Sequence, residues 1–92
     1  MTTWKIEFNS KAKKEFNNLN SFIRKRIEKF LEKLSLIENP KQIGHALTGN
    51  FTGHWRYRIG DYRIVCEINE DIITIKIVRV QHRKDVYKKE IA

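Results

Sequence analysis

The residues of this 92-residue chain whose types and spacing could do chemistry are mostly cationic. Arg56 and Arg58 alternate in H-W-R-Y-R-I, Arg63 follows in D-Y-R-I-V, and Lys76 sits in T-I-K-I-V, with Gln81, His82, Arg83 and Tyr87 just beyond. Guanidinium groups stay protonated in proteins and present a planar fork that matches two phosphate oxygens. Such a surface suits phosphate chemistry, because it can orient a polyanionic strand and stabilise the extra negative charge that develops on phosphorus. Scission of RNA fits it well, since the substrate's own 2′-hydroxyl can serve as the nucleophile. Two protons must then be moved, a task for which arginine is a poor choice. Histidine titrates near pH 6.5, at about the right place, so His82 is one candidate; Tyr87 is another, and the substrate and water are a third. Each also has a plainer reading: His82 as a strand-end residue, and Tyr87 either stacking on a base or pinning the last helix to the sheet.

These side chains need a sheet to hold them. Gly60-Asp61 is a Gly-X pair of the kind that closes a two-residue hairpin, because the first position needs a positive φ. That turn sets Arg58 against Arg63 and Trp55 against Cys66. Period-two alternation then places Trp55, Tyr57, Ile59, Tyr62, Ile64, Cys66 and Ile68 on an apolar face, with Arg56, Arg58, Arg63 and Glu67 on the other. A third strand, Ile72 to Val80, is expected to follow a tight turn at Asn69-Glu70, adding Ile73, Ile75 and Ile77 to the apolar face and setting Lys76 opposite Arg63. Like charges directly opposite one another are unfavourable. An anion bound over Arg56, Arg58, Arg63 and Lys76 would relieve them, as would splaying of the side chains into solvent.

Upstream, Trp4, Ile6 and Phe8 alternate with Lys5 and Glu7, which predicts a half-buried strand over 3–8. Ser10 is a plausible N-cap for a short amphipathic helix from Lys11 to Leu19. A longer helix, capped by Asn20 or Ser21, carries its apolar stripe through Phe22, Ile23, Ile27, Phe30, Leu31, Leu34 and Ile37. Its opposite face, with Arg24, Lys25, Glu28, Lys29, Glu32 and Lys33, reads as solvated. Glu38-Asn39-Pro40 ends the helix, and residues 40–53, with three glycines, read as a loop. A short C-terminal helix is expected over 83–91. The fold class is therefore α+β: an N-terminal strand, a two-helix hairpin, and an antiparallel three-strand meander completing a small sheet, with the first strand at its edge. Residues 1–92 are expected to form one domain.

Composition narrows the function classes. The net charge is +8 and the sequence pI about 9.8, with basic residues in excess in both halves, so any cationic patch must be assembled by folding. One cysteine, Cys66, allows neither an intrachain disulfide nor a cysteine metal site. His45, His54 and His82 are too scattered to suggest a metal, and no cofactor is expected. No phosphate-binding loop, dinucleotide fingerprint or nucleophile elbow occurs. No apolar run approaches the length of a membrane span and no signal-like segment opens the chain, so no membrane partner and a reducing cytoplasm are expected. A basic DNA-binding regulator is disfavoured, since no recognition helix with exposed base-reading side chains is evident.

The run G-D-Y-R-I-V-C-E-I at 60–68, then I-K-I-V-R-V-Q-H-R-K-D-V-Y at 75–87, resembles the RelE/ParE superfamily of bacterial toxins, and the likeness extends over the chain, including A-L-T-G before the hairpin. The resemblance implies the toxin of a type II toxin–antitoxin pair: a ribosome-dependent endoribonuclease that cleaves the mRNA codon in the A site. It implies an acidic, RelB-like antitoxin as partner, with operator DNA reached only through that antitoxin. On this resemblance Arg56 and Arg58 match paired basic positions of the second strand, Arg63 the arginine of the following strand, and Arg83 and Tyr87 the late arginine and tyrosine. The segment before the tyrosine is shorter than in the best-known member, which leaves His82 and Arg83 both available for the late arginine's place. Other members of the superfamily, of ParE type, poison DNA gyrase without cutting RNA. They generally lack the full basic and aromatic set that this chain keeps.

Overall fold

Alternation of β-branched and aromatic residues with polar ones carries the second half of the chain into a sheet, and the computed structural model describes residues 3–84 of the whole. Its elements are β1 (Lys5–Phe8), α1 (Ser10–Asn17), α2 (Ser21–Ser35), β2 (His45–Ala46), β3 (His54–Ile59), β4 (Tyr62–Asn69) and β5 (Thr74–His82), with short 3-10 turns at Pro40–Ile43 and Gly49–Phe51. The strands form one mixed sheet in the order β1-β5-β4-β3-β2. β1 lies parallel to β5, and the remaining pairs are antiparallel. The two helices pack on one face, where Ala12, Phe16, Ile27, Leu31 and Leu34 meet Tyr57, Ile59, Ile64, Cys66, Ile75, Ile77 and Val80.

Both helices start on asparagine. Asn9 Oδ1 accepts from Ala12 N–H at 2.8 Å and Asn20 Oδ1 from Ile23 N–H at 3.0 Å, each satisfying one of the donors that a helix start leaves open. Asn9 therefore replaces the expected Ser10 cap. Phe22, read as part of the buried stripe, is 69 % exposed. It stands at the second position of α2, ahead of the turns that reach the sheet. The region expected to be loop contributes β2, too short for any period to register. The expected C-terminal helix lies outside the described residues, apart from a helical start at Arg83 and Lys84.

The β3–β4 register is the expected one, with Arg58 facing Arg63 and Trp55 facing Cys66. Gly60 takes φ +59 at the turn. The β4–β5 register is not the expected one. Asn69 pairs with Thr74, so residues 70–73 form a four-residue loop in place of the tight Asn69-Glu70 turn. The Asn69 side chain organises that loop, accepting from the N–H groups of Asp71 at 3.0 Å and Ile72 at 3.3 Å. Ile73 is consequently in the loop, with φ +48, and does not join the apolar face. A bulge then shifts the register again: Cys66 pairs with Ile77 but Val65 with Arg79, which leaves Val78 as the extra residue of β5. Together the longer loop and the bulge place Gln81, not Lys76, opposite Arg63.

Burial raises the pKa of the Cys66 thiol, and burial followed by the neighbouring Cys66 raises that of the Tyr57 hydroxyl. Tyr57 also donates to the Pro40 carbonyl at 2.6 Å. Groups that stay protonated longer in the folded than in the unfolded chain stabilise the fold below their unfolded pKa values and lose that contribution as pH rises. Unfolding titrations should therefore show stability that is flat in this respect below about pH 8 and declines above it, where an unfolded cysteine and then tyrosine ionise. Native Cys66 should also resist alkylation until the chain unfolds. Fast native-state alkylation at pH 8 would contradict this packing.

Candidate functional site

The corrected register divides the cationic face in two. At one end, His54, Glu67, Lys76 and Glu7 stand side by side across four strands. Lys76 stands between the Glu67 and Glu7 positions of this row, and His54 Nε2 lies 3.3 Å from Glu67 Oε1. Lys76 thus sits between two carboxylates and does not extend a basic floor from Arg63. Its expected place beside Arg63 fails because the tight turn assumed for 69–70 is a longer, asparagine-organised loop.

The other end is the β3–β4 turn, where positive charge does accumulate. Arg58 and Arg63 face each other two residues before and two residues after Gly60-Asp61. Arg63 folds back on its own turn, its Nη1 donating to the carbonyls of Gly60 and Tyr62 at 3.2 Å each. β5 ends here as well: Arg83 N–H donates to Asp61 O at 2.7 Å, and its Nε lies 3.7 Å from Asp61 Oδ1. From the helix side Arg26 approaches so closely that a Cβ on Gly60 would lie 3.1 Å from its Nη1. Glycine suits residue 60 for its positive φ, whereas the Arg26 contact is with the far end of a flexible side chain. Four guanidinium groups therefore surround one turn that carries a single carboxylate, Asp61.

His82 is placed at the same end of the sheet. It pairs with Tyr62 across the strands, and the two rings meet edge to face with centroids 5.2 Å apart. Lys84 N–H donates to His82 Nδ1 at 3.2 Å. That bond fixes the ring and leaves Nε2 as the nitrogen through which His82 would exchange a proton with a substrate. Arg56 lies one step deeper on β3, between His45 of β2 and Val65 of β4. Of the residues singled out from sequence, the fold thus brings Arg58, Arg63, His82 and Arg83 to one turn, keeps Arg56 near, and sends Lys76 to the far end. Tyr87 lies outside the described residues.

Two contributors escape sequence reasoning. Arg26 sits in a run of basic residues on α2 and gains meaning only when Gly60 packs against it. Arg79, 7 % exposed, is held by Glu15 through Nε at 3.2 Å and Nη2 at 3.0 Å to Oε2, while Glu15 Oε1 also accepts from Val80 N–H at 2.8 Å. This clamp ties α1 to the strand that carries His82, along an edge that β1 is too short to cover. Among the described residues no group of three or more His, Cys, Asp or Glu side chains comes together as a metal site. No helix among them is long and apolar enough to cross a membrane.

A small mixed sheet with two helices on one face is a fold found in the toxins of toxin–antitoxin complexes. The family model described as ParE toxin of type II toxin-antitoxin system matches residues 6–87. Toxin RelE3 of Methanocaldococcus jannaschii is 32 % identical, over 90 % of this chain and 94 % of its own length. Toxin RelG of Mycobacterium tuberculosis is 27 % identical, over 91 % and 95 %. The crystal structure of the toxin–antitoxin complex RelBE2 from Mycobacterium tuberculosis contains a chain that superposes with a TM-score of 0.80 at 26 % identity, covering 89 % of this chain and 100 % of that one. The chain belongs to the RelE/ParE superfamily of type II toxins.

Proposed function

We propose that this toxin is an endoribonuclease that acts in the ribosomal A site and cuts the mRNA codon there, using the 2′-hydroxyl of the substrate and no metal. The observation that carries this reading is the convergence of Arg26, Arg58, Arg63 and Arg83 on the Gly60-Asp61 turn beside His82. The RelE-type names of its relatives support it. In the reaction the 2′-oxygen bonds to phosphorus and loses its proton, the bond from phosphorus to the 5′-oxygen breaks, and that oxygen takes up a proton. The products are a 2′,3′-cyclic phosphate and a 5′-hydroxyl. Arg63 and Arg83 stabilise the charge on the phosphorane-like transition state, Arg58 and Arg56 hold the strand in line, and Lys76 reaches only its distant backbone. His82, through Nε2, or Tyr87 passes a proton.

An acidic, RelB-like antitoxin silences the site in the producing cell, in the cytoplasm, and complementary charge speeds its association more than it fixes affinity. Operator DNA is approached through that antitoxin. The ParE description of the matching family keeps gyrase inhibition as the second reading. Purified toxin added to translating ribosomes and, separately, to a gyrase supercoiling assay distinguishes them. Loss of ribosome-bound message with supercoiling intact is expected, whereas intact message with blocked supercoiling selects the gyrase reading.

Single-turnover cleavage at varied pH tests the proton carrier. His82→Gln is expected to lower the rate by about a hundredfold and to change the shape of the pH profile. A native rate in His82→Gln, together with losses in Arg83→Ala and Tyr87→Phe, would move the proton to Tyr87.

A further inference from the structure

α2 carries two stripes. One, made of Ile23, Ile27, Phe30, Leu31 and Leu34, goes into the core. The other, made of Phe22, Arg26, Lys29, Lys33 and the C-cap Leu36, recurs at alternating spacings of four and three residues, the period at which one helix meets another. Every member of this second stripe is exposed, and it runs for about 21 Å along the helix. Phe22 and Leu36, 69 % and 63 % exposed, mark its ends.

Single exposed apolar residues are ordinary on a protein surface, but these two share a stripe with three cations between them. Arg26, Lys29 and Lys33 follow one another at three and four residues, close enough for like charges to repel. None of them has an ion-pair partner among the described residues. Two grooves run beside the stripe: one of about 250 Å³, lined also by Phe30 and Ile59, and one of about 240 Å³ that reaches Leu36 past Glu32. A row of unpaired cations calls for carboxylates or phosphates. The apolar groups at both ends and in the first groove favour carboxylates carried on a protein helix, because a phosphate backbone would leave the aliphatic end at Leu36 uncovered.

We infer that this stripe seats one acidic amphipathic helix of the antitoxin, about four turns long, with carboxylates over Arg26, Lys29 and Lys33 and apolar side chains over Phe22 and Leu36. The inference rests on the reading that an acidic antitoxin silences this toxin, and it adds the surface on which that partner sits. The seat is also tied to the site. Arg26 packs against Gly60 of the arginine-ringed turn, so a carboxylate that holds Arg26 competes for it with an RNA phosphate.

The probe is the antitoxin encoded by the reading frame that adjoins the toxin's, bound to immobilised toxin with association and dissociation followed separately. At low salt, Lys29→Glu with Lys33→Glu should slow association by about tenfold or more, because steering charge acts on the encounter. Phe22→Ala with Leu36→Ala should instead speed dissociation by about tenfold, as loss of a buried anchor does. Lys11→Glu with Lys14→Glu makes the same charge change on α1 and should leave both rates within a few-fold of wild type. None of these residues belongs to the turn, so all three variants should cut ribosome-bound message at the wild-type rate. An antitoxin that binds every variant like wild type, or an α1 variant that slows association as much as the α2 variant, overturns the inference and leaves the antitoxin reading standing. Loss of cleavage in Lys29→Glu with Lys33→Glu makes the stripe an RNA surface and overturns the inference as well. An antitoxin that does not bind wild-type toxin at all removes the antitoxin reading itself, and the inference with it. If wild-type toxin cuts no message, the binding rates alone decide.

Discussion

Replacing Arg63 with alanine is expected to slow cleavage of ribosome-bound message by about a hundredfold to a thousandfold, the usual cost of removing one donor that meets developing charge. The residue is positioned for this by its strand and by its own turn: its guanidinium bridges the Gly60 and Tyr62 carbonyls, so little of its freedom remains to be lost when a phosphate arrives. Arg63→Lys should recover only part of the rate, because an ammonium keeps the charge but not the two-pronged geometry. The variant should remain folded, since the lost hydrogen bonds involve carbonyls at a partly exposed turn. Measured kcat together with an unfolding curve separates the two effects. A rate within a few-fold of wild type would remove Arg63 from the chemistry.

The largest effect on stability is expected at a residue far from the turn. Glu15→Ala leaves Arg79 buried with no opposing carboxylate and strips Val80 N–H of its acceptor. Breaking a buried pair from one side costs about 3 kcal/mol or somewhat more, a large share of the roughly 5–15 kcal/mol that holds a small protein folded. Replacing both members with leucine should recover most of the loss, because no buried charge then remains unpaired. Denaturant unfolding of wild type, Glu15→Ala and the double variant measures this directly. A loss below about 1 kcal/mol in Glu15→Ala would show that water satisfies Arg79 in the folded chain.

How much of this is legible in the residues depends on whether the cause is local. The β3–β4 register is legible, because Gly60-Asp61 is a self-contained turn signal and one residue of slip would turn Tyr57 and Ile64 to the other side. The β4–β5 register is not. The run I-I-T-I-K-I-V-R-V keeps isoleucines on one face in more than one register, and the choice is made by the Asn69 side chain and the bulge at Val78. A tight turn at 69–70 with no bulge would set Lys76 beside Arg63. α2 was readable from its apolar spacing, whereas β2, with two residues, had no period to read. The Glu15–Arg79 clamp joins residues 64 apart in sequence. Arg26 looks like any other surface base until Gly60 is seen against it. Arg58, Arg63, His82 and Arg83 were legible as chemistry-bearing types on or beside strands, yet their meeting at one turn depends on Arg83 N–H reaching Asp61 O, a tertiary contact.

The central claim, that this turn cuts a ribosome-bound strand with the strand's own 2′-hydroxyl, is tested most directly by mapping the ends of the cleaved message. Primer extension on ribosomes stalled at a known codon, followed by chemical identification of both new ends, should place the cut inside the A-site codon. It should find a 2′,3′-cyclic phosphate on one fragment and a 5′-hydroxyl on the other, with the cut lost in a toxin carrying Arg63→Ala and Arg83→Ala. A 3′-hydroxyl with a 5′-phosphate, cutting outside the A-site codon, or undiminished cutting by the double variant would contradict it.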